Sequence, residues 1–365
     1  MLRASPILRK MAENAAKRIK TDGQVSIGTH NGHFHADEAL AVYMLRKHVP
    51  TYSDARLVRT RDPALLAECH TVVDVGGEYD AARNRYDHHQ RTFATTFPER
   101  PTKLSSAGLV YMHFGREIVA RRIGSASPED ETVSLIWRKI YESFIEALDA
   151  HDNGISAYDP AGLSAAGLEK RFSDGGFTLG AMVGRLNPNW NDPIPSDPAE
   201  AQQYEDSRFE LASQRIGEEF DRDLDYYTSS WLPARQVVAD AFASRSEYDA
   251  EGGRILVLKG QSVPWKDHLY TLEGEQKDEK NKVLYVLYPE KPTPGAKWRI
   301  QCVPVTKDSF QSRKPLPETW RGFRDEQLDG ISGIEGCVFV HAAGFIGGNK
   351  TFEGALAMAK KALEA

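Results

Sequence analysis

Tyr86-Asp87-His88-His89-Gln90-Arg91 (YDHHQR) sets a carboxylate directly before two adjacent imidazoles. Asp87, His88 and His89 are all able to ligate a metal. The same triplet also suits a polar turn, so its meaning depends on what the rest of the chain brings to it. Upstream stand His30, His35, Asp37, Glu38 and Asp74, and downstream stands Asp152, each where a strand is expected to end.

Working outward, Val25 to Thr29 (VSIGT) is a short apolar run that stops at His30, before the turn dipeptide Asn31-Gly32. Asp37 and Glu38 then precede Ala39, Leu40, Ala41, Val42, Met44 and Leu45, good helix formers with acids in the first turn, where the helix dipole favours them. Strand, ligand-rich loop and helix follow in that order. Open α/β sheets collect functional groups at the carboxyl ends of their strands, so His30, His35, Asp37 and Glu38 are expected on one rim. Helix-terminal charge alone accounts for the two acids but not for the flanking histidines. Thr71 to Val75 (TVVDV) predicts a second strand with Asp74 inside it, a costly placement unless the carboxylate is paired or metal-bound. Asp74 could instead cap the turn at Gly76-Gly77.

Ser105 and Ser106 read as caps of a helix running to Phe114, with His113 a packing or surface residue. Residues 132–148 carry Val133, Ile136, Trp137, Ile140, Phe144 and Leu148 at helical spacing, and run directly into Asp149, His151, Asp152, Asn153 and Gly154. Asp152-Asn153-Gly154 also reads as a plain turn. Residues 160–195, rich in Gly, Asn and Pro and ending in Leu186 to Asn191, look like the rim of the first domain. Pro198 to Tyr227 predicts a long connecting helix. Beyond it, strands are expected at 254–259, 282–288, 298–305 and 338–341, and a closing helix at 351–363.

The fold class is therefore α/β: a metal-binding parallel-sheet domain over 25–195, a helical connector over 196–232, and a smaller α/β domain over 233–365 that is expected to bind substrate. Residues 1–24 are expected to be a disordered basic targeting tail. Arg3, Arg9, Lys10, Lys17, Arg18 and Lys20 stand there against Glu13, which suits a mitochondrial presequence, and Lys17 to Lys20 a weak nuclear signal. Mitochondrion and nucleus are the expected locations, with the cytoplasm also open. At 365 residues the chain is long enough for about two domains. No window reaches the roughly 18 continuous apolar residues of a membrane helix. Cys69, Cys302 and Cys337 are too scattered for a disulfide framework or a cysteine zinc site, which fits a reducing compartment. A net charge of −6 argues against a broad basic coat for nucleic acid, though not against a local groove.

Imidazole and carboxylate without thiolate suit Mn²⁺ first, with Mg²⁺, Zn²⁺ or Fe²⁺ open. The number of acids is enough to bridge two divalent ions, the arrangement that clamps attacking and leaving oxygens at a phosphoryl centre. Val340 to Thr351 holds His341, Gly344, Gly347, Gly348, Asn349 and Lys350 just before the last helix. It reads as a glycine loop whose N–H groups hold a phosphate, or as a tight turn joining strand to helix. Arg83, Arg85, Arg91 and Lys103 lie near the triplet in sequence and could neutralise phosphates.

Taken together, THNGHFHADEALA, DVGGEYD, YDHHQRTF, KLSSAGL, RLNPNW and HAAGFIGGNKTFEGAL resemble the melanocyte-proliferating-gene family of DHH-type exonucleases, within the DHH phosphoesterase superfamily. The resemblance runs from about residue 25 to the C-terminus. It implies a metal-bearing parallel-sheet domain, a smaller domain that closes over substrate, and 3′-5′ exonuclease activity on RNA in mitochondria and nucleus. Asp74 would bridge two ions, His88 and Asp152 would serve one, and Asp37 with His30 or His35 the other. His89 would touch the scissile phosphate, and Asp87 would be a ligand or orient a histidine. One departure is visible: the superfamily separates its first two acids by one residue, whereas Asp37 and Glu38 are adjacent. Hydrolysis of another bond, such as an amide or a small phosphoester, and a non-catalytic RNA-binding scaffold are the competing readings.

Overall fold

Strand β1 (Ser26–Thr29), helix α1 (Ala36–His48) and strand β2 (Arg56–Arg59) open the chain as a crossover unit, with β1 and β2 parallel and Ile27 opposite Leu57. This computed structural model describes residues 24–173, 175–276 and 281–365, so the basic segment expected over 1–24 lies outside the described residues apart from Gln24. Helix α2 (Pro63–Ala67) leads to β3 (Thr71–Val73), then β4 (Tyr79–Asp80) and β5 (Arg85–Tyr86). The sheet order is β2-β1-β3-β5-β4, parallel except where β4 meets β5.

Every residue of α1 from Ala36 to Leu45 is buried, because the helix is enclosed between further helices. Helix α3 (Ser106–Ile123) packs on it, followed by α4 (Glu131–Ile140), a π-turn (Tyr141–Ile145) and α5 (Glu146–Asp152). The helix expected to stop at 148 thus continues to Asp152, and the extra residue per turn of the π segment resets which side chains face inward. Short helices α6 (Pro160–Ala165) and α7 (Leu179–Gly184) precede the long α8 (Pro198–Tyr226). That helix, expected as a connector, lies along α1 within the first unit: Ser213 Oγ donates to the Ala39 carbonyl at 2.8 Å and the Tyr43 hydroxyl to Asp221 at 2.8 Å. Gly217 permits the approach, since a Cβ there would fall 2.1 Å from Tyr43 Cγ.

The chain divides into two compact units between Tyr227 and Thr228. In the second, α9 (Leu232–Ala243), β6 (Ile255–Val257), α10 (Lys266–Gln276), β7 (Tyr285–Pro289), β8 (Trp298–Cys302), α11 (Asp325–Ser332), β9 (Cys337–Val340), β10 (Ile346–Asn349) and α12 (Phe352–Glu364) follow in order. Its sheet runs β6-β7-β8-β10-β9, with β6 and β7 parallel and the other pairs antiparallel. Side chains alternate faces with the two-residue period of a strand: Ile255, Tyr285 and Leu287 join Met358 of α12, while Leu256 and Val286 join Val238 of α9 and Leu269 of α10.

One expectation is corrected here. Gly347 and Gly348 do not form a phosphate loop; they lie within β10, Gly347 opposite Ile300 on one side and Val340 on the other. A Cβ at Gly347 would meet the Phe339 carbonyl at 3.0 Å, so close strand packing explains the glycine. The turn belongs to Gly344 instead, at φ 71°. No helix among the described residues is long and apolar enough to cross a membrane.

Candidate metal centre

Three parallel strands end at one place. β1 hands over to His30, which is buried, and β5 to Asp87, His88 and His89. β3 stops at Val73, so Asp74 stands just past the strand rather than inside it, at φ 61°. A left-handed backbone is uncommon for an aspartate, and here it turns the side chain towards the imidazoles. Asp74 does not cap the glycine turn. That task falls to Asp87, whose Oδ2 accepts from the Gly77 N–H at 2.5 Å.

The carboxylate of Asp74 is shared. Its Oδ2 lies 3.3 Å from His30 Nε2, and its Oδ1 lies 3.2 Å from His88 Nε2. His30 Nε2 also faces Glu38 Oε1 at 3.1 Å, and His88 Nε2 faces Asp152 Oδ2 at 3.2 Å and Asp37 Oδ2 at 3.9 Å. Three ligand-bearing groups result: His30, His35, Glu38 and Asp74; Asp74, His88 and His89; and Asp37, His88 and Asp152, with the potential ligand atoms of each group within 4.8 Å of one another. Asp87 belongs to none of them. Its Oδ1 binds His89 Nδ1 at 2.7 Å, so it orients that ring.

The electrostatics point to missing positive charge. Burial opposes protonation of His30, but Asp74 and Glu38 outweigh it and push the ring up to about 10. His88, likewise buried, is pushed up to about 9 by Asp152 and Asp74. Although burial works the other way, both imidazoles hold Asp74 well below the usual carboxylate range. Asp37 moves far up, first through burial and then through Asp74, Asp152 and Glu38. Oδ1 of Asp37, Oε2 of Glu38 and Nδ1 of His88 are buried without a hydrogen-bond partner among the described residues, while Oδ1 of Asp74 and Nε2 of His88 face each other only as an ion pair. Orphaned buried oxygens and imidazole nitrogens are costly unless a cation satisfies them. The donor set therefore fits divalent metal, with Asp74 placed to serve two positions.

A supporting layer fixes these groups. Contrary to expectation, Ser105 and Ser106 do not cap α3 through their side chains, because their polar groups are committed to carboxylates from elsewhere. Ser106 gives its hydroxyl to Asp37 Oδ2 at 2.8 Å, and Ser105 gives its N–H and hydroxyl to Asp149 Oδ1 at 2.9 and 2.7 Å. Tyr141, in the π-turn, donates to Asp149 Oδ2 at 3.0 Å. Gly108 leaves the room, since a Cβ there would lie 2.4 Å from each Asp149 oxygen. Burial pushes the Asp149 carboxyl up to about 7 against the pull of these donors.

The groups open on a cleft of about 470 Å³ also lined by His33, Lys103, His151 and Gly180. Sequence reasoning passed over His33 and His151 as site residues. The clustering His33-Phe34-His35 and the spacing to Asp152 were the available signals. Asn187, from the RLNPNW stretch, grips the loop between them: its Oδ1 accepts from the Phe34 N–H and its Nδ2 donates to the Phe34 carbonyl, both at 2.9 Å.

Other expected residues fall elsewhere. Arg83, largely exposed, pairs with Glu78, and Arg85 spends its guanidinium on the carbonyls of Cys69, His70, Arg83 and Asn84. Arg91 is exposed on the turn after the triplet. His113 packs on Tyr79 and Tyr86, as expected. His341 and Lys350 are exposed in the second unit.

Fold and site together define an α/β protein with a candidate metal centre at the carboxyl edge of a parallel sheet. The family model MYG1_exonuc, described as an uncharacterised protein family (UPF0160), matches residues 26–363. The chain is similar to the MYG1 exonuclease of Homo sapiens, 50% identical over 352 residues that cover 95% of this chain and 88% of that protein. It is 44% identical over 353 residues to a MYG1 protein of Saccharomyces cerevisiae, covering 96% and 99% of the two chains. A MYG1 protein of Schizosaccharomyces pombe is 46% identical over 341 residues, covering 93% of this chain and 98% of its own length. The chain belongs to the MYG1 family.

Proposed function

We propose that this protein is a metal-dependent phosphodiesterase that shortens single-stranded RNA from its 3′ end, with two divalent ions, Mn²⁺ favoured. The observation that carries the reading is the divided carboxylate of Asp74, one oxygen toward His30 and the other toward His88. Relatives named exonucleases support the class of reaction.

His30, His35, Glu38 and Asp74 would hold one ion, and Asp37, Asp74, His88 and Asp152 the other. When bound, such a pair activates water and stabilises charge on the phosphoryl oxygens. The chain does the rest. His89 is exposed, and its Nδ1 is held by Asp87, which raises its proton affinity and leaves Nε2–H to donate to a phosphate oxygen. Lys103 lines the same cleft and supplies a second positive charge. In the second unit, His341 and Lys350 are the side chains assigned to the RNA backbone.

The test uses full-length protein with Mn²⁺. A 3′-labelled single-stranded RNA should lose its label as mononucleotide at the outset, a 5′-labelled one should give a descending ladder, and a chelator should stop both. RNA left intact with Mn²⁺, Mg²⁺ or Zn²⁺ while a peptide library is cut would overturn the proposal.

A further inference from the structure

Helix α7 connects the cleft to two aromatic rings that the fold does not use. Gly180 and Gly184 of this helix line the cleft. Two residues before the helix stands Phe177, 97% exposed, and six residues after it Trp190, 96% exposed. A phenylalanine and a tryptophan left wholly in water contribute nothing to the core, and an exposed large apolar group is the informative exception on a protein surface.

Their positions are held, not trailing. Thr178 caps α7 by accepting from the Ala181 N–H at 3.0 Å, and Arg185 donates to the Gly176 carbonyl at 3.1 Å, tying the helix back to the turn that ends in Phe177. On the other side, Asn187 is bolted to the Phe34 backbone, between His33 and His35. Three residues of chain span at most about 11 Å. The Phe177 backbone therefore lies within that distance of cleft-lining Gly180, and the Trp190 backbone within it of Asn187.

We infer that Phe177 and Trp190 form a stacking platform on which bases of the RNA strand rest while its 3′ end occupies the metal cleft. This inference rests on the phosphodiesterase reading and adds to it the residues that select an unpaired strand. Single-strand binders pair a phosphate-tracking groove with exposed aromatic faces, on which any base stacks. Tyr158, Leu168 and Phe172 before them and Ile194 after them are exposed as well, so the occupant is chosen by position beside the cleft and not by isolation of the rings. Continuity with the cleft selects the substrate strand as occupant.

The experiment is fluorescence anisotropy of a labelled single-stranded RNA on the full chain with Ca²⁺ in place of Mn²⁺, so that binding is read without turnover. Phe177→Ala with Trp190→Ala should weaken binding at least about tenfold, equivalent to about 1.4 kcal/mol. Trp190→Phe should restore most of the loss from Trp190→Ala. An oligomer of the same length without bases should bind the wild type and the double variant alike. Unchanged affinity in the double variant overturns the platform while leaving the phosphodiesterase reading in place. Equal binding of base-bearing and abasic strands by the wild type does the same. If sedimentation shows a concentration-dependent dimer that Trp190→Ala dissolves while RNA affinity stays unchanged, the rings are an interface between copies and the inference falls. Wild type that neither binds nor shortens RNA overturns both readings together.

Discussion

Asp74 and His88 meet at 3.2 Å across the ends of two adjacent parallel strands, and the oxygen of Asp74 that faces His88 is not the one that faces His30. A carboxylate divided in this way couples two ligand groups. Asp74→Asn is therefore expected to lower metal content at both positions and activity by more than about 100-fold, since even residues behind a metal ligand cost about 10- to 100-fold. Elemental analysis and RNA turnover read it. Asp152→Asn, on one side only, should leave metal bound near His30.

Metal uptake should release protons. His30, pushed up to about 10, and His88, pushed up to about 9, both carry a proton at neutral pH in the metal-free protein, and imidazole must lose it to ligate. Titration calorimetry in buffers of different ionisation enthalpy should show release of up to about two protons at pH 7. Apparent affinity should rise with pH and level off near pH 9 to 10. Binding that is independent of pH would contradict the assignment of these rings as ligands.

Asp149 gives a separate dependence on pH. Its carboxyl is raised to about 7 by burial, so it binds more protons folded than unfolded, and stability should fall as pH rises from about 4 to 7. Asp149→Asn keeps an acceptor for Ser105 and removes that slope. Between pH 5 and 8 the melting temperature of the wild type should drop by at least about 2 °C more than that of the variant.

Two glycine substitutions should have opposite signs. Gly217→Ala forces a methyl group into the Tyr43 ring where α8 lies on α1, and should cost about 1–3 kcal/mol in denaturant unfolding. Gly330→Ala, in α11 with nothing within 4 Å of the added carbon, should instead stabilise by up to about 1 kcal/mol through helix propensity.

Asn187→Ala removes both hydrogen bonds to Phe34 and leaves a buried N–H and carbonyl unpaired, each costing about 1–3 kcal/mol. Activity should fall about tenfold or more through the loosened His33–His35 loop, with metal content near His88 retained. Loss of stability with undiminished turnover would limit Asn187 to a structural role.

Local signals carried the α/β class, the strand before His30 and the acid-led helix α1, because alternation and turn residues act over a few positions. The same signals gathered His30, Asp37, Asp74, His88 and Asp152 as candidates at strand ends, although Asp152 ends helix α5 and Asp37 opens helix α1. What they missed depends on partners far away in sequence. Ser105 and Ser106 look like caps locally, but Asp149 and Asp37 claim them. Asp149 was passed over because only the fold buries it beside Gly108, and the π-turn that carries α5 on to Asp152 leaves no local mark. Gly347 and Gly348 mimic a phosphate loop until their strand neighbours are known.

Diffraction from crystals soaked in Mn²⁺ and recorded at the manganese absorption edge tests the central claim most directly. Two anomalous peaks are predicted about 3.5–4 Å apart, one beside His30 and Glu38, the other beside His88 and Asp152, with Asp74 touching both. A single peak, or peaks away from Asp74, would contradict the account.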